Sequence, residues 1–134
     1  MKKIVTMFVV ALLLSACGSS KEQQDLKQVL TEKFKDDSDL KDYKLKPEDI
    51  AECVVANISQ DAPPIPGDPK RERYFAAYTK FAAARSPTEA EQAIKDYQDV
   101  FGGIKEARAA ANTVTDHVMS CMGLAIEKAT PIEE

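Results

Sequence analysis

Residues 61–69, DAPPIPGDP, hold four prolines and one glycine. Proline lacks the backbone N–H that a helix or an inner strand needs, and its ring clashes with the preceding turn, so neither element can run through this stretch. The chain therefore folds as separate pieces on either side of a stiff connector. On both sides apolar residues recur at intervals of three and four, and beyond the first twenty residues no alternation of strand type competes. An all-α fold follows.

Leu26, Val29, Leu30 and Phe34 mark a first amphipathic helix over about 21–35, with Ser20 placed to cap it. The acidic run Asp36-Asp37-Ser38-Asp39 interrupts the pattern. Pro47 suits the first turn of a second helix, with Glu48 and Asp49 complementing the positive end of its dipole, and Ile50, Cys53, Val54, Asn57 and Ile58 on one face. After the connector, Asp68 can cap a third helix with Pro69 at its first position and Tyr74, Phe75, Tyr78, Phe81 and Ala82 turned inward. Ser86-Pro87-Thr88-Glu89 reads as a capping box for a fourth helix, which carries Ala90, Ala93, Ile94, Tyr97 and Phe101 and closes at Gly102-Gly103. A fifth, from Ile104 to about Lys128, spaces Ala107, Ala111, Val114, Val118, Cys121 and Ala125 along a narrow seam that a neighbouring helix can approach closely. The expectation is a small bundle of about five helices.

The chain begins with Met1, Lys2 and Lys3, continues through an apolar stretch from Ile4 to Leu14 and ends that stretch on Ser15 and Ala16. This is the pattern of a secretory signal, and it is too short for a comfortable bilayer span of roughly 20 apolar residues. Leu14-Ser15-Ala16-Cys17 also resembles the lipobox of bacterial lipoproteins. The resemblance implies cleavage before Cys17 and lipidation of its sulfur and amine, with several acyl chains anchoring the mature protein. It further implies the outer membrane, periplasmic face, because Gly18 and Ser19 follow the cysteine where an aspartate would favour inner-membrane retention. The expected organisation is a signal peptide over 1–16, a lipid anchor and short linker over 17–20, one helical domain over 21–130 and an acidic tail over 131–134.

With Cys17 lipidated, Cys53 and Cys121 remain in a compartment that permits disulfides, and only one pairing is open to them. Both fall on apolar helix faces, so a disulfide pinning the second helix to the last is expected. The whole chain carries a formal charge of −4, and loss of Lys2 and Lys3 makes the mature part more acidic. A mildly acidic exported domain is not built to hold nucleic acid.

Chemistry is sparse. His117 is the single histidine, so neither an HExxH motif nor a histidine pair can form, and any nucleophile would have to share that one imidazole. The five glycines, at 18, 67, 102, 103 and 123, form no phosphate-cradling loop. No catalytic residues and no cofactor are expected. Three stretches could still carry function. HVMSCM, residues 117–122, offers His117, Met119, Cys121 and Met122 as soft copper ligands, although Met119 projects about 200° around the helix from His117 and a core seam is the better reading. KRERYFAAYTKFAAAR, residues 70–85, places Arg71, Arg73, Tyr74 and Lys80 against an acidic background, as contacts for a partner or a membrane surface if the charges are not simply solvated. Ile65, apolar among prolines, could serve as a recognition point on a rigid loop.

The function expected from this is a non-enzymatic, outer-membrane-anchored periplasmic lipoprotein that binds another envelope protein, as an accessory of an envelope machine or as an inhibitor of the immunity type. A carrier or chaperone for an apolar ligand is the alternative, and a copper-binding periplasmic protein the weaker one.

Overall fold

The computed structural model describes residues 19–130, so the signal segment, Cys17 and the acidic tail lie outside the described residues. Among the described residues seven helices follow one another: α1 (Lys21–Phe34), α2 (Ser38–Asp42), α3 (Pro47–Gln60), α4 (Pro69–Ala83), α5 (Pro87–Asp96), α6 (Gln98–Phe101) and α7 (Ile104–Ala129). The fold is all-α with no strand among the described residues. Five of these helices are the expected ones.

The other two are short and correct the sequence reading. Asp37 starts α2 by accepting from the N–H groups of Asp39 and Leu40 at 2.9 and 3.1 Å, and Leu40 buries its side chain, so the acidic interruption is itself a helical turn. The fourth helix does not run unbroken to Phe101. Its backbone departs from helical geometry at Tyr97, and α6 restarts so that Phe101 reaches the rings of α4.

Several ends are fixed by the caps the sequence offers. Ser20 Oγ accepts from the Gln23 N–H while Gln23 Oε1 accepts from the Ser20 N–H, a reciprocal capping box. Asp68 accepts from the Lys70 N–H at 2.8 Å with Pro69 at the first helical position. Ser86 accepts from the Glu89 N–H at 3.2 Å, but the Glu89 carboxylate reaches past the cap to the Arg85 N–H at 2.7 Å, one residue beyond the expected box. Gly102, at φ 88°, supplies the left-handed residue that ends α6, and the Gly103 N–H closes onto the Gln98 carbonyl at 2.9 Å.

One core joins these elements. It runs from Leu26, Leu30 and Phe34 of α1 through Ile50, Val54 and Ile58 of α3 and Phe75 and Tyr78 of α4 to Ile94 of α5 and Ala107, Val114 and Cys121 of α7. α1 and α3 lie antiparallel, tied by Gln23 to Ser59 at 3.0 Å and Lys27 to Glu52 at 2.8 Å. α4 runs in the direction of α1, because Lys33 near the end of α1 donates to the Ala82 carbonyl near the end of α4. The start of α1, the end of α3 and the start of α4 therefore share one end of the bundle.

α7 closes the side, and Cys53 of α3 is bonded to Cys121 with 5.9 Å between their Cα atoms. Cys121 is buried and Cys53 sits half-buried at the rim. The bridge joins positions 68 residues apart, and the chain-entropy model gives a closure of that length about 4 kcal/mol. Combining Cys53→Ala with Cys121→Ala, or reducing the bond, is expected to lower the unfolding free energy by about 2–4 kcal/mol. Urea midpoints measured in oxidising and reducing buffer check this, and equal midpoints would contradict it.

Candidate functional site

Each residue singled out in the sequence, Cys17 apart, lies among the described residues. Tyr74 is 7% exposed, and its ring lies 5.0 Å from Tyr78, 5.6 Å from Phe75 and 5.8 Å from Phe101, centroid to centroid. Its hydroxyl donates to the Ile58 carbonyl at 3.1 Å. That carbonyl is among the last of α3, where the helix supplies no donor of its own, and the Ala62 N–H turns instead to Ser59. Burial is the main reason that the Tyr74 phenol is pushed above its ordinary range, with the neighbouring Tyr78 adding to it. Tyr74 is therefore a core and capping residue, which corrects its expected part as a partner contact: α4 is covered on that face by α6 and the end of α3.

Arg71 is also turned to internal work. It donates to the Pro63 carbonyl at 2.6 Å, and its guanidinium lies 5.0 Å from the Phe75 ring centroid, so it ties the proline connector to α4. Arg73 is exposed but holds Asp99 of α6 through two contacts at 2.9 and 3.0 Å and lies 5.6 Å from the Tyr97 ring. Lys80, two turns further along the same face of α4, is exposed and makes no ion pair among the described residues.

Arg73 and Lys80 meet on one wall of an open groove between α4 and α5, with a volume of about 510 Å³. Ala83, Ala93 and Tyr97 give it an apolar floor, and Glu89 and Asp96 of α5 stand on the far wall. Opposite charges thus face each other across a wettable slot. Such a surface can accept an extended or helical segment with both signs of charge, and it offers no converging nucleophile and base. The α5 wall was missed in the sequence, although Glu89 and Asp96, seven residues apart on a helix, fall on one face.

Ile65 lies away from this groove. It begins the turn Ile65-Pro66-Gly67-Asp68, in which Gly67 takes φ 80° and the Asp68 N–H returns to the Ile65 carbonyl at 3.2 Å. Proline and glycine hold the two central positions that a type II turn requires. Ile65 is 62% exposed at its tip.

A second groove, of about 460 Å³, runs beside the disulfide between α3 and the end of α7. Leu45, Ile50, Leu124 and Ala125 line it, and Lys44, Lys46 and Lys128 stand at its rim. The proposed copper set does not assemble. The Cys121 sulfur is bonded to Cys53 and has no thiolate to give, Met119 is 68% exposed, and His117 and Met122 are half-buried. No group of three or more His, Cys, Asp or Glu residues among the described residues is arranged to hold a metal ion.

No family model, no curated protein and no solved structure matches this chain.

Tyr74→Phe should leave the Ile58 carbonyl without its donor and cost about 1–2 kcal/mol of stability. Arg73→Ala, which removes an exposed ion pair and an exposed contact with the Tyr97 ring, should cost about 1 kcal/mol or less. Denaturation of both variants decides whether Tyr74 is the structural residue of the two.

Proposed function

We propose that the mature protein is a non-enzymatic lipoprotein, held at the periplasmic face of the outer membrane through Cys17, that binds another envelope protein along the groove between α4 and α5. The observation that supports this reading is the groove itself. It is open along its length, its walls carry Arg73 and Lys80 against Glu89 and Asp96, and its floor is apolar. A polypeptide segment presents both apolar and charged groups at the needed spacing, whereas a small substrate would meet no enclosing pocket. The signal segment and the lipobox-like Leu14-Ser15-Ala16-Cys17 supply the address. The single histidine, half-buried on α7, supports a role in binding over one in catalysis.

A second reading, a carrier for an amphiphile, draws on the groove beside the disulfide. Leu45, Leu124 and Ala125 would take an acyl chain, and the lysines at 44, 46 and 128 would meet an anionic head.

Crosslinking in intact cells, followed by capture of the full-length protein from gently solubilised membranes, separates the two. The expected result is one protein in near-equal amount, crosslinked to α4 or α5, whose recovery falls at least about tenfold when Arg73→Glu is combined with Lys80→Glu, as loss of about 1.4 kcal/mol or more requires. Recovery of lipid alone, lost with Leu124→Asp and untouched by the Arg73 and Lys80 changes, would replace the first reading by the second.

A further inference from the structure

The start of α1 and the proline connector occupy the same end of the bundle, and only Gly18 and Ser19 stand between Cys17 and the Ser20 cap. The three extended chain steps from Cys17 to Ser20 span at most about 11 Å. Resting on the lipoprotein reading above, we infer that this end of the bundle lies directly on the bilayer and that the tip of the connector, residues 64–67, inserts Ile65 into the lipid interface as a second point of attachment.

The placement follows from hydrogen bonds. Gln23, in the first turn of α1, donates to Ser59 at the end of α3, and the connector leaves α3 two residues later. Arg71 then draws the loop back by bonding the Pro63 carbonyl. The tip is thus held rigidly beside the anchored end.

The chemistry of the tip suits lipid. Pro64, Ile65, Pro66 and Gly67 are exposed in succession, and none carries a charge. Two of the four are prolines with no backbone N–H, and the Ile65 carbonyl is already bonded to the Asp68 N–H, so few polar groups lose water when the tip is buried. Interfacial segments reach about 5–10 Å into the headgroup and acyl boundary, within range of one branched side chain on a short turn. At this end Lys21, Lys70 and Arg71 are offset by Glu22, Asp61, Asp68 and Glu72, so the surface around the tip carries no net positive charge. The contact is therefore apolar in character, and salt or anionic lipid content has little influence on it.

The chain contains no tryptophan, so one introduced ring reports on its own position. Ile65→Trp and Tyr43→Trp are prepared in the full-length, lipidated protein. Tyr43 is 56% exposed and follows α2 at the far end of α1, a helix about 21 Å long. Both proteins are reconstituted into vesicles of phosphatidylethanolamine and phosphatidylglycerol with brominated acyl chains, and the mass of the N-terminal peptide reports whether Cys17 carries lipid. The expected result is a blue-shifted ring at 65 that loses most of its emission to the bromines in low and high salt alike, and an unquenched ring at 43. Equal exposure of both rings to water, with Cys17 lipidated, overturns the insertion while leaving the anchor standing. Equal quenching of both overturns the orientation. An unmodified Cys17 overturns the anchor and the insertion together.

Discussion

The bundle depends on the burial of α4. Tyr74, Phe75, Ala77, Tyr78, Phe81 and Ala82 are all buried, covering nearly half of the helix circumference. A stripe that wide cannot be hidden against one neighbour. α1 covers one flank, while α6 and α7 cover the other, and Phe101 completes a cluster with Tyr74, Tyr78 and Phe81 at centroid distances of 5.8 Å. The break at Tyr97 follows from this demand. A straight fourth helix would carry Phe101 past the cluster, and the restart at α6 brings it back.

α7 poses the opposite problem. At 26 residues it is about 39 Å long, longer than the helices that could cover it. Its first half meets α4, α5 and α6, with Arg108 holding Glu91 at 2.7 Å. Its second half rests on α3 and the short segment before it, and the exposure of Met119 and Leu124 is the mark of that thin cover. A helix end so thinly covered frays readily. The Cys53–Cys121 bond falls in this second half, where apolar burial is least able to keep the helix in place.

Signals that act within a few residues were legible in the sequence. Ser20, Asp68 with Pro69, Ser86 and Gly102 each mark a helix end that the structure shows, because a cap is a contact between near neighbours in the chain. The inward faces of α3 and α4 were legible through their spacing, and the cysteine pairing through the faces on which the two thiols fall. The break before α6 was not, since it answers to a ring cluster on another helix. Tyr74 and Arg71 were misplaced for the same reason. Periodicity put both beside an aromatic face, but only the return of the connector over α4 shows that their polar atoms are taken up by Ile58 and Pro63. The groove was half legible, through Arg73 and Lys80, and its α5 wall became visible only once the two helices were side by side.

What remains for recognition is the surface. Among the described residues no charged side chain is buried, and no buried side-chain polar atom lacks a partner, so the interior holds no unmet side-chain hydrogen bond that a ligand could satisfy. On the proposed reading, specificity rests on exposed charge over an apolar floor, as along α4 and α5. Within that groove the two cations are not equivalent. Arg73 is already held by Asp99 through two hydrogen bonds, so an incoming carboxylate has to compete for it, whereas Lys80 makes no such pair. A partner's first acidic group would gain most at Lys80, and the Arg73–Asp99 pair would then act as a fixed wall that sets where the bound segment ends. On the proposed orientation that wall faces the bilayer and Lys80 the aqueous side, so a partner would enter from the periplasm and stop short of the membrane.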